Sequence, residues 1–305
     1  MRILFVTSNR LGDAVLSTGL LDHLLRSYPD ARFTVACGPV AEGLFERMPR
    51  RERTIVLRKQ PYGRHWLPLW AATVTTRWDL VVDIRGSALA WMVPARRRAV
   101  MRRVRGHKTT QLAAVLGLDP PPLPVVWTAP ADEARAAALL PEGRPVIALA
   151  PTANWGPKVW PPERFAALFA ALRRDLDDPA AVVLAGPGEA ERMMAEPLLA
   201  ALPGAIDLTG RLRLPEAAAV LRRAALFVGN DSGLMHLAAA AGAPTLGLFG
   251  PTKAAEYGPA GPYAAAVLAD TGGMDTLPVA RALAAARTLL GHTMQPRTER
   301  PVPGR

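Results

Sequence analysis

Between Ala224 and Phe249 the chain runs through an apolar stretch, a Gly-Asn-Asp-Ser-Gly turn, an Ala-rich stretch and a second apolar stretch. That order leaves few options. It reads as strand, sharp turn, helix and strand, and two strands joined through a helix lie parallel. The same alternation recurs along most of the sequence, which predicts an α/β architecture of parallel sheets covered by helices. In the first half, strands are expected at Arg2 to Thr7, Phe33 to Cys37, Thr54 to Leu57 and Leu80 to Ile84, with helices at Asp13 to Tyr28 and Gln111 to Leu116. In the second half, strands are expected at Val146 to Ala150, Val182 to Ala185, Ile206 to Leu208 and Ala225 to Val228, and a closing helix at Leu277 to Leu290.

Between the halves lies Asp119-Pro120-Pro121-Pro122-Leu123-Pro124, too proline-rich for a helix and stiff enough to act as a linker. A length of 305 residues fits two domains. We therefore expect two Rossmann-like, doubly wound domains facing a central cleft, over residues 1–140 and 141–291, with a polar, Pro-rich disordered tail over 292–305.

No apolar run reaches the ~18 to 20 residues that span a bilayer. Met1 to Val6 leads straight into a strand without a leader cleavage site, and Cys37 is the one cysteine, so a cytoplasmic chain without disulfides is expected. The net charge is +11, with arginine clusters at Arg50-Arg51-Glu52-Arg53, Arg96-Arg97-Arg98 and Arg102-Arg103-Val104-Arg105. These form either a solvated surface or an attraction to an anionic membrane, worth about 1 kcal/mol per basic residue. No nucleic-acid motif accompanies them, so no nucleic-acid partner is expected.

Four turns carry candidate chemistry. Asp231-Ser232-Gly233-Leu234 opens the helix within the 224–249 segment. A helix start offers unpaired N–H groups and partial positive charge to an anion such as a phosphate. His236 lies on the same helical side as Ser232. Gly233 removes a side chain where a ligand's backbone approach would matter. The first turn, Thr7 to Asp13, lacks the GxGxxG pattern of an NAD-binding chain. Its Asp13 either caps the helix or acts as a general base. In the turn Pro151 to Pro161, Thr152 and Asn154 can donate to phosphate oxygens, and Lys158 can place a charge on a diphosphate. After Gly186-Pro187-Gly188, Glu189 either caps its helix or accepts from ribose hydroxyls. Leu212 is positioned for packing or for contact with a base. The run Asp175-Leu176-Asp177-Asp178 reads as a surface loop, and the histidines show no metal spacing, so no metal site is expected.

Arg10-Leu11-Gly12-Asp13, Lys158-Val159-Trp160-Pro161, Asp231-Ser232-Gly233-Leu234-Met235-His236 and Leu248-Phe249-Gly250-Pro251-Thr252, in this order, resemble glycosyltransferase family 9, the ADP-heptose:lipopolysaccharide heptosyltransferases. The match does not extend to Arg58 to Trp70 or to Val267 to Met274. The resemblance implies a GT-B fold and inverting transfer without an obligatory metal or cofactor, the ADP-sugar being a substrate. Asp13 would be the base, and Lys158, with Thr152 or Asn154, would stabilise departing ADP. Asp231, Ser232, Gly233 and Leu234 would lie under the diphosphate, with His236 holding that loop or the phosphate. Glu189 would bind ribose and Leu212 would lie near adenine. The N-terminal domain would take a lipid A/core oligosaccharide acceptor, with peripheral contact to the anionic inner membrane.

Overall fold

The computed structural model describes residues 1–102 and 104–294. The first half contains β1 (Arg2–Val6), α1 (Leu11–Ser27), β2 (Arg32–Cys37), β3 (Arg51–Val56), α2 (Trp66–Thr73), β4 (Trp78–Asp83), α3 (Leu89–Met92), β5 (Ala95–Val100), α4 (Lys108–Ala113) and α5 (Pro130–Leu139). The second contains β6 (Val146–Ala150), α6 (Pro162–Leu172), β7 (Ala180–Val183), α7 (Glu189–Ala201), β8 (Ile206–Asp207), α8 (Leu214–Arg222), β9 (Leu226–Asn230), α9 (Gly233–Ala240), β10 (Thr245–Phe249), α10 (Ala254–Tyr257), β11 (Ala264–Leu268) and α11 (Val279–Met294).

The strands form two sheets, ordered β3-β2-β1-β4-β5 and β11-β10-β9-β6-β7-β8. Every pairing within them is parallel. In β6, β9 and β10 every residue is buried, as expected of strands covered on both faces. Each sheet reverses its winding once, between β1 and β4 and between β6 and β9. A doubly wound sheet opens a crevice at the carboxyl ends of such neighbouring strands. The turns after β1, β4, β6 and β9 therefore carry whatever the sheets present to a ligand.

The apolar core has three parts. One covers an outer face of the first sheet, from Leu4 and Val6 to Leu69, Leu89 and Ala90. A second covers an outer face of the second sheet, around Trp160, Phe165, Val228 and Leu248. The third is continuous between the halves, from Ile3, Phe5 and Val15 to Phe227 and Met235. Helices α1 and α9 meet in that shared core at glycine contacts. A Cβ on Gly12 would stand 2.7 Å from His236 Cδ2, and one on Gly233 would stand 2.8 Å from Leu11 Cδ2. Gly12 is thus a helical spacer inside α1, and the close approach that needs Gly233 is made by Leu11.

Several expectations shift in register or role. The helix expected from Asp13 begins at Leu11, and the one expected from Gln111 begins at Lys108. The proline-rich connection lies against α1: Val125 N–H donates to Thr18 Oγ1 at 2.9 Å, and a Cβ on Gly19 would meet Pro122 O at 2.6 Å. Two of the three arginine clusters are the edge strands of the first sheet. β3 reads Arg-Glu-Arg-Thr-Ile-Val and β5 reads Ala-Arg-Arg-Arg-Ala-Val. Charged side chains on an edge discourage pairing with a foreign strand. Most of these guanidinium groups also serve their own fold. Arg98 donates to the carbonyls of Ala90, Val93 and Ala95, Arg97 to Tyr28 Oη, and Arg51 to Thr54 Oγ1. Helix α11 continues to Met294, so residues 292–294 of the expected tail are helical; the rest of that expectation, residues 295–305, lies outside the described residues. Among the described residues no helix is long and apolar enough to cross a membrane.

Candidate functional site

The crevice of the second sheet holds a charge pair built from two turns. Asn230 ends β9 fully buried, and its Oδ1 accepts from Trp160 N–H at 3.0 Å. Trp160, itself buried, donates from Nε1 to Leu277 O at 2.9 Å. This fixes the turn after β6, whose short 3₁₀ segment Gly156–Lys158 carries the lysine. Lys158 Nζ then reaches Asp231 Oδ2 at 2.7 Å, with the two side chains 18% and 9% exposed. A partly desolvated pair at a crevice keeps a cation in one place, where it can meet a phosphate.

Ser232 is the N-cap of α9, yet its hydroxyl makes no capping bond. Its Oγ, His236 Nδ1 and Thr252 Oγ1 are buried polar atoms without a partner among the described residues. Such groups cost about 1–3 kcal/mol each when left unsatisfied, so these atoms, two of them on α9 and its N-cap, are unused hydrogen-bonding capacity. Thr152 is buried after β6, whereas Asn154 is exposed further along the same turn.

His236 is enclosed between α9 and Gly12 of α1. Burial pushes its imidazole down from 6.5 to about 4; Asp231 opposes this, and His107 and Lys158 add to it. The ring is therefore neutral at neutral pH. Below 6.5 the unfolded chain takes up a proton that the folded chain refuses until about 4. Stability attributable to this group thus falls as pH drops through that window, by on the order of 3 kcal/mol in all. His236→Gln should remove this part of the acid slope. Melting curves of both proteins, stepped through the window, check it; parallel declines would mean that His236 is not the group responsible.

The first sheet carries polar groups of its own on the turns after β1 and β4. Asp13 lies in the first turn of α1, partly buried, and accepts from Ser8 Oγ at 3.4 Å. Ser8 Oγ also accepts from Arg10 N–H at 3.2 Å, so this hydroxyl organises the turn. At the reversal of this sheet, Arg85 donates to Asn9 Oδ1 at 3.3 Å and its guanidinium lies 4.7 Å from the Trp66 ring centre. The turn after β4 is held by Asp83, fully buried, which accepts from the N–H groups of Arg85 and Ser87.

Tyr257 joins the two sides and was not anticipated from sequence. Burial raises its phenol above the usual value, followed by the charges of Asp13 and Glu256, while Arg10 opposes them and Asp231 adds a smaller push. Groups from both halves therefore act on one hydroxyl, which stays protonated. The segment around it is pinned across the halves: His107 Nε2 donates to Gly258 O at 3.0 Å, and Gln111 Nε2 to Glu256 Oε1 at 3.2 Å. A lone tyrosine in an Ala-Ala-Glu-Tyr-Gly stretch gives no sequence signal for this.

The remaining predicted residues stand further out. Glu189 is exposed at the first position of α7, while Glu191 folds back to accept from Gly186 N–H at 3.2 Å. Leu212 is half-buried and packs on the core shared by the halves. Among the described residues no group of three or more His, Cys, Asp or Glu gathers as a metal site would require.

Residues 88–281 match glycosyltransferase family 9 (heptosyltransferase). The chain is 27% identical to lipooligosaccharide heptosyltransferase 2 of Haemophilus influenzae, with 83% of this chain and 84% of that one covered. It is 30% identical to lipopolysaccharide heptosyltransferase 1 of Pseudomonas aeruginosa, over 83% of this chain and 79% of that one. Its fold superposes on the structure of E. coli ADP-heptose LPS heptosyltransferase II with a TM-score of 0.77 at 21% identity, covering 97% and 100% of the two chains. Two doubly wound sheets facing a cleft, matched over both halves, are the GT-B fold.

Proposed function

This chain belongs to glycosyltransferase family 9, and on that premise we propose that it moves heptose from ADP-heptose to an inner-core lipopolysaccharide acceptor, inverting the anomeric centre. The reading is supported by two unlike groups, one carried by each half of the chain. Asp13 stands on the first sheet's side, and the Lys158–Asp231 pair stands on the second's. In-line displacement needs this division. The acceptor hydroxyl gives its proton to Asp13 as its oxygen attacks the anomeric carbon. The bond from that carbon to the β-phosphate oxygen breaks, and ADP leaves with the electron pair beside Lys158.

We assign the acceptor to residues 1–140 and the nucleotide sugar to 141–291. The diphosphate lies over Asp231 to Leu234 at the start of α9, where the Ser232 and Thr252 hydroxyls have hydrogen bonds to give. Thr152 and Asn154 reach the same phosphates. His236, being neutral, braces the α9 start against α1 and adds no charge. Glu189 takes the ribose and Leu212 the adenine side. No step in this scheme calls for a metal.

Charge supports an anionic acceptor. Arg10, Arg58, Lys59, Arg64, Arg102 and Arg105 are exposed and form no ion pair among the described residues. They follow the carboxyl ends of strands in the first sheet, the edge that also carries Asp13. A basic rim there raises the local concentration of a phosphorylated or carboxylated sugar chain. The acceptor's lipid anchor would bring the chain to the anionic cytoplasmic face of the inner membrane.

Thermal shifts with ADP, ADP-heptose, UDP and GDP test the donor. A ligand at 100 times its Kd stabilises by about 2.7 kcal/mol. ADP and ADP-heptose should raise the melting temperature, and UDP and GDP should not. Stabilisation by UDP or GDP alone would keep the fold and remove the heptose donor.

A further inference from the structure

We infer that the apolar groove between α2 and α3 is a membrane-docking face for an anionic bilayer surface. The groove has a volume of about 600 Å³ and is lined chiefly by Trp66, Leu67, Trp70, Arg85, Leu89 and Met92. Each helix buries one side on the first sheet, through Leu69 in α2 and through Leu89 and Ala90 in α3. The opposite sides are also apolar. Leu67 is 63% exposed, Trp91 68% and Met92 57%. Helix α2, Trp-Leu-Pro-Leu-Trp-Ala-Ala-Thr, has no charged residue at all. Trp70 Nε1 donates to Met92 O at 3.2 Å, which ties the helices into one unit. Contiguous exposed apolar side chains on a soluble domain mark a surface that meets something.

Charge selects the occupant. Residues 53–78 and 84–118 contain no Asp or Glu, yet they include Arg58, Lys59, Arg64, Arg85, Arg98 and Arg102. The acids that intervene are already engaged. Asp79 accepts from Arg2 N–H and pairs with Arg96, and Asp83 is buried in its own turn. Arg98 lies 5.7 Å from the Trp91 ring centre, and Arg85 lies against Trp66. An apolar groove with Arg85 and Arg98 against its tryptophans, carried by chain segments that hold basic residues and no acidic ones, complements a bilayer with an anionic headgroup layer. Tryptophan favours that interface, and each basic residue near it adds about 1 kcal/mol. Arg85 also bonds to Asn9 at the reversal of the first sheet, so the groove adjoins the edge that carries Asp13. A chain docked here would face a lipid-anchored acceptor with its crevice beside the headgroups.

The biological purpose rests on the acceptor being lipid-anchored, as proposed above; the test needs neither donor nor acceptor. The full chain is sedimented with phosphatidylcholine vesicles, with and without phosphatidylglycerol. It should bind the anionic vesicles, release them as salt rises, and shift its tryptophan emission to the blue. The triple variant Leu67→Ser, Trp91→Ser, Met92→Ser should bind them about 10-fold or more weakly while ADP still raises its melting temperature. Brominated phosphatidylcholine, mixed into the anionic vesicles, should quench part of the wild-type emission, which checks the contact without any substitution. Equal binding by both proteins, binding indifferent to lipid charge, or unquenched emission would overturn the inference. So would a concentration-dependent dimer that the triple variant abolishes, since that assigns the groove to a second copy. Vesicle binding without an ADP response would remove the donor reading and leave this one standing; the converse pattern would do the reverse.

Discussion

Asp13→Ala is expected to lower kcat by about 10²- to 10⁴-fold, the range general-base catalysis contributes, while the ADP-induced thermal shift stays as in the wild type. Two features of the turn set this expectation. Asp13 is partly buried and accepts from a hydroxyl of its own turn, and among the described residues it forms no ion pair. It also belongs to the other half of the chain from Lys158, so its loss is expected to leave the proposed phosphate contacts alone. The competing role is structural. A carboxylate in a helix's first turn stabilises by about 0.3–1 kcal/mol through the helix dipole. That role predicts a lower melting temperature and unchanged turnover. Asp13→Asn separates the two, because it keeps the shape and removes the base. Turnover of the Asn variant within a few-fold of wild type would take Asp13 out of the mechanism.

Much of this arrangement is legible in the sequence because parallel strands and their turns are local signals. The buried strands β1, β6, β9 and β10 appear as unbroken apolar runs, and the turns after β1, β6 and β9 carry the polar residues that end up in the crevice. The edge strands are less legible. β5 is three arginines between alanines, and arginine reads as surface. An edge strand is half surface, and its ladder depends on β4, which no local pattern reveals. Glycine roles are illegible for a similar reason. Gly12 and Gly233 lie 221 positions apart in numbering, yet each marks where α1 and α9 touch. A single sequence gives no reason to couple Gly12 to the His236 ring or Gly233 to Leu11. Tyr257 and Glu191 belong to the same class, because their meaning comes from partners supplied by the fold rather than by their neighbours.

The second large effect is expected at Lys158. Lys158→Ala should lower kcat by about 10²- to 10³-fold, the cost of removing one preorganised electrostatic donor, and should weaken ADP binding as well. The binding loss has two sources. On the proposed reading the diphosphate loses a cation, and Asp231, 9% exposed, loses its counter-charge. A carboxylate left alone in a part-buried crevice repels the donor and destabilises the fold. Lys158→Ala therefore mixes a catalytic loss with an orphaned charge, and a second substitution resolves the mixture. In the double variant Lys158→Ala, Asp231→Asn, the orphan is neutralised. Its melting temperature should recover toward wild type and ADP should bind better than to the single variant, while kcat remains low because no cation meets the leaving phosphate. Rate and melting temperature would then move independently across the two variants. Recovery of turnover in the double variant would reverse the assignment, making Lys158 a partner that merely quiets Asp231 and leaving leaving-group stabilisation to the α9 start and its hydroxyls.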